Sequence, residues 1–451
     1  MKSNQLVMST LTESRQAEHS VFERSTFRRE RQKNFSLVTV NASVLRPFLD
    51  SANLRRRLGA YFSRVKQTWK PLSLFFRTHF ELEDVLSQNA FNAKTGSRLS
   101  ASQELIGRSE IEWVTSTMPL VSILIPAYNA GPWIAATIRS ALAQTWPRIE
   151  IIVVDDGSTD QTPAIARQFV PQGVLVVEQK NQGASAARNK AFSLSHGEYI
   201  QWLDADDLLA PDKIALQMQV VLQGSPKRTA LSSSWGRFIH RPSRAKFIPS
   251  SLWCDLSPLE WLLRKMGQNI FMQTSTWLVS RELTEAAGPW DTRLLGDDDG
   301  EYFCRVVLAS EGIRFVPEAR VYYRSFQSGS LSYIGRSPKK IEAHWLSMRL
   351  HIQYLRSQEN STRVHVACLQ YLRDCLISFY PERPDIVKEA AKLAIELGGE
   401  LGPPPLSWKY SWIEMLFGWS VAKPVLLNSR KLRWSFERRW DRVLFQIQGG
   451  S

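Results

Sequence analysis

Alternating strand-like and helix-like runs from residue 119 to 203 predict an α/β fold, a mostly parallel, Rossmann-like sheet flanked by helices. Two further observations agree. The run IEIIVV at 149–154 has five apolar residues in six, as a strand buried on both faces requires. Each strand-like run also ends in a polar cluster, and ligands of open parallel sheets bind outside the carboxyl ends of the strands.

Taken in order, PLVSILIPAYN is a β-rich run whose Pro126 marks the strand end. GPWIAATIRSALAQTW follows with Ile134, Ile138 and Leu142 at helical spacing, and Pro132 is tolerated in its first turn. After IEIIVVDDGSTD, the residues Ser158, Thr159 and Asp160 offer N-caps for a helix beginning near Thr162 and Pro163. GVLVVEQK reads as a third strand, GASAARNKAFSLS as a helix and EYIQWL as a fourth strand. Beyond about Tyr333 the pattern is mainly helical, interrupted by GPPP at 402–405. Residues 1–117 lack a strong period of either kind. The expected organisation is a basic N-terminal extension and linker (1–117), an α/β domain (118–333, in halves 118–220 and 221–333) and a helical C-terminal region (334–451).

Composition narrows the class. Of 451 residues, 43% are apolar and 22% charged, which describes a globular chain with a sizeable core. Lys and Arg number 57 against 43 acidic residues, and a formal charge of +14 favours an anionic partner. Four cysteines without Cys-x-x-Cys spacing suit free thiols in a reducing compartment. The N-terminus has no apolar h-region, and no stretch reaches about 18 uninterrupted apolar residues. A cytoplasmic protein is the expectation.

The polar clusters carry the chemistry. PAYN follows the first strand, Asp155 and Asp156 the second, KNQGASAARN the third, and Asp204, Asp206 and Asp207 the fourth. Any one could be capping or loop chemistry, but four on one rim are hard to reach by chance. Three carboxylates in four positions repel one another, and either solvent or a bound cation must answer for them.

The motifs VSILIPAYNAGPWIAATIRSALAQTW, EIIVVDDGSTDQT, NQGASAARNKA and GEYIQWLDADDLLAPDKI together resemble family 2 glycosyltransferases of the GT-A fold. The match is dense over 118–220, the donor half, and looser to about 330 through the acceptor half. The resemblance implies inverting sugar transfer from a nucleotide diphosphate donor (a UDP-, GDP- or dTDP-sugar), usually with Mg²⁺ or Mn²⁺. Hard cations want oxygen ligands, typically one or two carboxylates plus phosphates and water. By resemblance Asp206 holds the metal and Asp204 the ribose or the metal shell, while Asp207 is expected to cap the following helix. Asp156 matches the residue that reads the donor base, with Pro126, Tyr128 and Asn129 walling the pocket. Asp155 stands as a donor residue or as a charge favoured by a helix dipole. Asn181, Gly183 and Arg188 match positions near the donor, the alternative for Arg188 being a surface cation.

An inverting transfer needs a general base. GDDDGEYFCRV resembles the family's acidic base motif, with Asp298, Asp299, Glu301 and Arg305 in its places and Asp replacing the usual Glu at 298. Asp299 is the expected base and Asp298 the fallback; the alternative is an acidic helix start balanced by Arg305. Arg324 is expected to face the diphosphate. Many relatives carry a His two residues later, where this chain has Phe326.

Other chemistries fit less well. A dinucleotide fold wants G-x-G-x-x-G after the first strand, a nucleotidyltransferase a Gly-rich basic loop there, and the sequence has PAYNAGPW. The seven His show no ligand spacing, and neither Gly-x-Ser-x-Gly nor a P-loop is present. Two basic, aromatic segments, 45–80 and 406–445, flank the core and suit either peripheral contact with an anionic membrane, at the inner face of the plasma membrane, or helices docked on the core. Nucleic acid is not expected, because no recognised binding motif accompanies the charge. The reading is a metal-dependent glycosyltransferase acting on a hydroxyl acceptor, lipid-linked acceptors included, in cell-surface polysaccharide, lipopolysaccharide or glycolipid synthesis. The competing reading is a catalytically silent sugar-nucleotide binder or membrane-associated scaffold.

Overall fold

A computed structural model of the chain describes residues 118–325 and 337–447. The expected N-terminal extension, the basic segment at 45–80 and Phe326 lie outside the described residues. Strand β1 (Val121–Ala127) leads through α1 (Ile134–Leu142) to β2 (Ile149–Asp155), then through α2 (Thr162–Arg167) to β3 (Val174–Glu178). Helix α3 (Ala184–Leu194) precedes β4 (Tyr199–Trp202), and a short β5 (Leu208–Leu209) precedes α4 (Lys213–Leu222). Next come β6 (Thr229–Phe238), β7 (Lys246–Phe247), α5 (Pro258–Gly267), β8 (Val279–Ser280) and α6 (Arg281–Ala287). Helix α7 (Asp298–Ala309) and the long β9 (Gly312–Arg324) complete the α/β part.

The main sheet has the order β3-β2-β1-β4-β8. Strands β1 to β4 are parallel, and β8 joins β4 antiparallel at the edge. Alternation along the strands decides what each face meets. Leu124, Ile152, Val154, Ile200 and Trp202 fill one core with Ala187 and Ala191 of α3. Ile123, Ile125, Ile151 and Val153 fill the other with Ile134 and Ile138 of α1 and Ile214 and Met218 of α4. Each such aliphatic side chain contributes roughly 1.5–3 kcal/mol on leaving water. Chain order reverses between β1 and β4, which opens a crevice at their carboxyl ends. This is the mostly parallel, helix-flanked sheet that the sequence predicts.

A second sheet, β5-β9-β6-β7, stands beside the first. Its centre is a parallel β6/β9 pair whose register shifts between Ser233 and Ser234. Helices α8 (Pro338–Gln358), α9 (Thr362–Cys375) and α10 (Pro384–Glu396) follow, and Ile341, Trp345, Cys368, Leu372 and Ala390 continue the first core rather than starting one of their own. After the GPPP break, α11 (Trp408–Phe417) and α12 (Trp419–Ile447) end the described chain. All four cysteines are free.

Candidate active site

The loops after β1 and β2 are tied to each other. Asn129, in left-handed backbone (φ 49°), accepts from the Thr159 amide at 2.8 Å, and its own amide donates to Ser158 Oγ at 2.9 Å. Asp160 accepts from the Thr162 amide at 2.9 Å and the Gly131 amide at 3.0 Å, so one carboxylate steadies both α2 and the β1 loop. Gly157 is required twice over: its φ is +72°, and a Cβ there would lie 2.8 Å from the Asn181 amide nitrogen. Pro126 lies inside β1, opposite Val154, so the strand runs one residue further than expected. Tyr128 is 52% exposed beyond it, and Asn181 is exposed at the same rim.

Asp155 and Asp156, both buried, are used differently. Asp156 accepts from the Gln182 amide (2.9 Å), the Gly183 amide (2.8 Å) and Gln179 Nε2 (2.7 Å), which fastens the loop before α3. Gly183, at φ 92°, is the residue from which that helix starts. Asp155 gives one oxygen to the Ser158 amide at 2.9 Å, while its Oδ1 is buried without a partner. The unpartnered carboxylate oxygen of this pair is therefore Asp155 Oδ1, while Asp156, which the sequence motif favours, holds the loop before α3.

Arg188 is no surface cation. It is buried, with its guanidinium over the Trp290 ring at 4.3 Å. It donates to Asp204 at 2.8 Å and Asp298 at 2.6 Å, residues 94 positions apart in the chain. The expected donor residue thus bridges the two acidic clusters, while its Nε stays buried without a partner. Breaking a buried ion pair on one side typically costs about 3–5 kcal/mol, because a charge is stranded. Arg188→Met should lose that much in urea unfolding, and adding Asp298→Asn should recover part of it; a loss under about 1 kcal/mol would show the bridge to be incidental.

The fourth-strand acids divide three ways. Asp204, partly exposed, accepts from Arg188 and from Gln273 Nε2 at 3.4 Å. Asp206 is half-buried and takes no hydrogen bond from another side chain; burial and the charge of Asp204 push it up to about 7, with Arg324 pulling the other way. Asp207 is fully buried and corrects the capping expectation. Strand β5 intervenes before α4 begins at Lys213, and Asp207 instead accepts from the Arg324 amide at 2.8 Å and Gln273 Nε2 at 2.5 Å. Burial, then Asp206 and Asp204, hold its carboxyl well above the usual range. Arg324 closes this end, stacked between Trp133 and Phe238 at 4.4 Å from each ring and donating to the Asp206 carbonyl at 2.8 Å. Burial lowers its guanidinium to about 10, so it stays cationic near neutrality.

At the start of α7 the two candidates separate. Asp298 is buried and committed to Arg188 and to Ser185 Oγ at 3.2 Å. Asp299 accepts from Thr274 Oγ1 at 3.2 Å and is only partly buried; desolvation, then the Asp298 and Asp297 charges, push it up to about 7. Glu301 and Arg305 pair at 2.7 Å, and Tyr354 of α8 donates to Glu301 at 2.6 Å. Ser347 of α8 donates to Asp297 at 2.7 Å, so the C-terminal helices hold the acidic helix start in place.

Sequence reasoning missed the loop Gln273–Thr276. Gln273 touches Asp204 and Asp207, and Thr274 touches Asp299, so one loop spans both clusters. The available signal was the polar QTST run bounded by apolar residues on both sides. Among the described residues, no group of three or more His, Cys, Asp or Glu side chains forms a self-sufficient metal cage. Asp206 with Asp204 fits a cation that draws its other ligands from phosphate and water.

Residues 122–246 match the family model for glycosyl transferase family 2. A Bacillus subtilis glycosyltransferase provisionally assigned to teichuronic acid biosynthesis, TuaG, is 40% identical over 115 residues, 25% of this chain and 46% of that protein. Chondroitin synthase of Escherichia coli is 43% identical over 112 residues, 24% of this chain and 16% of that protein. The chain thus spans less than half the length of these relatives. Among solved structures, S. aureus TarS 1–349 in complex with UDP-GlcNAc superposes with a TM-score of 0.51 at 18% identity, over 62% of this chain and 81% of that one, a likeness of fold.

Proposed function

Residues 122–246 carry the family 2 glycosyltransferase domain, and from that premise we propose that this chain transfers a sugar, with inversion, from a nucleotide diphosphate to a hydroxyl acceptor in cell-surface polysaccharide synthesis. One observation carries the reading. Asp204, the neighbour of the metal candidate Asp206, and the base candidate Asp299 belong to one hydrogen-bonded unit: Arg188 ties Asp204 to Asp298, and the Gln273–Thr276 loop reaches both Asp204 and Asp299. Donor and acceptor chemistry then share a single site. The polysaccharide assignment is supported by the relatives named for teichuronic acid and chondroitin synthesis.

In this mechanism Asp206 and Asp204 would hold a Mg²⁺ or Mn²⁺ ion, which would supply positive charge to the diphosphate. Arg324, which donates to the Asp206 carbonyl, faces the same diphosphate. The rim of Tyr128, Asn129 and Asn181, backed by the buried pair Asp155 and Asp156, receives the nucleoside, with Asp156 the residue whose motif matches base recognition. Asp299 takes the proton of the acceptor hydroxyl as that oxygen bonds to the anomeric carbon. The bond to the diphosphate breaks on the opposite face, and the nucleoside diphosphate leaves with the electron pair. Arg188 and Ser185 occupy the Asp298 carboxylate, so the proton goes to Asp299. The reaction is placed in the cytoplasm, where nucleotide sugars are made.

Thermal-shift measurements with UDP-, GDP- and dTDP-sugars, each with and without Mn²⁺, test the reading. One nucleotide class should stabilise the protein, and only with the ion. Saturating ligand at about 100 times its Kd adds roughly 2.7 kcal/mol, a readily measured shift. No stabilisation by any nucleotide sugar would sink the donor assignment.

A further inference from the structure

Helix α12 is the longest in the chain, 29 residues or about 43 Å, and only part of its surface meets the rest of the protein. Its docked side buries Trp419, Ala422 and Leu426 and adds specific polar contacts. Asp441 accepts from the His240 amide at 3.0 Å and from Arg241 Nε at 2.8 Å, while Lys423 donates to Glu382 at 2.6 Å. On the other side run Val421, Val425, Leu432, Trp440, Val443 and Ile447, all among the exposed large hydrophobics. At about 100° per residue they fall within roughly 100° of one another on the helix surface. Leu432 is 73% exposed and Ile447 is 74% exposed. Immediately before this stripe, α11 exposes Met415, Leu416 and Phe417.

Cations accompany the apolar residues. Helix α12 contains seven Lys and Arg against two acids, and Arg439 on the stripe and Arg442 at its border are exposed. A strong apolar stripe with Trp and flanking Arg, on a helix too polar to span a bilayer, is the pattern of a helix lying in a membrane interface. Among the described residues no helix is long and apolar enough to cross a membrane.

We propose that the exposed face of α12, continued by α11, docks this protein on an anionic lipid surface. Charge selects that occupant. Residues 1–117 are themselves basic, with 18 Lys and Arg against 11 Asp and Glu, so they complement the face poorly. A second copy set stripe against stripe would bring like charges at Arg439 and Arg442 together. Anionic headgroups meet the cations while the acyl boundary takes the apolar stripe, each Lys or Arg near the surface adding a comparable increment. The docked side of the helix lies beside the donor end of the site: His240 packs on Trp133 at 6.0 Å, and Trp133 stacks on Arg324. Docking would thus hold the crevice near the bilayer, where a lipid-linked acceptor presents its hydroxyl; that consequence rests on the transfer reading above.

Flotation of the full chain with vesicles of phosphatidylcholine, alone or mixed with phosphatidylglycerol, tests the proposal. Binding is expected to the mixed vesicles and to weaken with added salt, since screening acts over about 8 Å at physiological ionic strength. Leu432→Glu with Val443→Glu, and separately Arg439→Glu with Arg442→Glu, should each reduce partitioning by at least about tenfold. Equal binding by parent and both variants overturns the proposal, as does equal binding to neutral and mixed vesicles. A parent dimer that the stripe variant converts to monomer, with no vesicle binding, assigns the face to a second copy and also overturns it. The Mn²⁺-dependent shift with nucleotide sugar, measured on the same variants, separates the two readings. Its retention while flotation is lost supports membrane docking, and its absence from the parent counts against the donor assignment alone.

Discussion

Asp299→Asn should bind donor and metal as the parent does, yet transfer sugar about 10²–10⁴-fold more slowly, the usual contribution of a positioned general base. The loss should fall in kcat, because the proton moves in the transition state and not on binding. Asp298→Asn is the control. Its carboxylate is committed to Arg188 and Ser185, so its removal should cost stability first and turnover second. If Asp298→Asn loses transfer while Asp299→Asn keeps it, the base is Asp298; if both keep it, the acids are a helix start only.

The pH dependence follows from the same residue. With Asp299 pushed up to about 7, kcat/KM should rise with pH and level off above that value, since only the carboxylate accepts a proton. Stability runs the other way. A folded pKa above the unfolded one means that the native state binds the proton more tightly. The contribution is complete below the ordinary carboxylate range and lost as pH rises through about 7. Asp299→Asn should therefore gain stability relative to the parent above neutrality and little in mild acid, a comparison that urea unfolding at two pH values settles.

The first sheet was legible because each of its central strands carries its reason locally. IEIIVV is apt for a strand buried on both faces, and the polar rim follows from parallel topology. The second sheet was not legible, because β6 pairs with β9 some 80 residues later and nothing in either strand names its partner. Asp207 shows the same limit at one residue. Nearness in sequence to a helical run suggested a cap, but its partners are the Arg324 amide and Gln273, 117 and 66 residues away. Arg188 was placed near the donor by its motif, yet its pairing with Asp298 depends on a contact across 110 residues. Residue type could nominate Asp204, Asp206 and Asp299. Only packing could reveal that one arginine and one polar loop tie Asp204 to the acids at the start of α7.

Asp206→Asn should separate folding from ligand binding with opposite signs. In the protein without ligand, Asp206 has no side-chain partner to lose, and its charge is held against burial and Asp204. Replacing it by a neutral amide relieves that repulsion, so the unliganded variant should unfold no more easily than the parent at neutral pH. With ligand the order reverses. A hard cation loses one of its few protein oxygens, and an amide oxygen is a poor substitute for a carboxylate. The Mn²⁺-dependent stabilisation by nucleoside diphosphate, roughly 2.7 kcal/mol at 100 times Kd in the parent, should largely disappear. Transfer should fall with it, whereas Asp299→Asn loses transfer alone. Thermal shifts of the parent and both variants, with and without Mn²⁺ and nucleoside diphosphate, give the full comparison. An Asp206→Asn protein that keeps the parental Mn²⁺-dependent shift would move the cation to Asp204 alone and leave Asp206 as a repelled bystander.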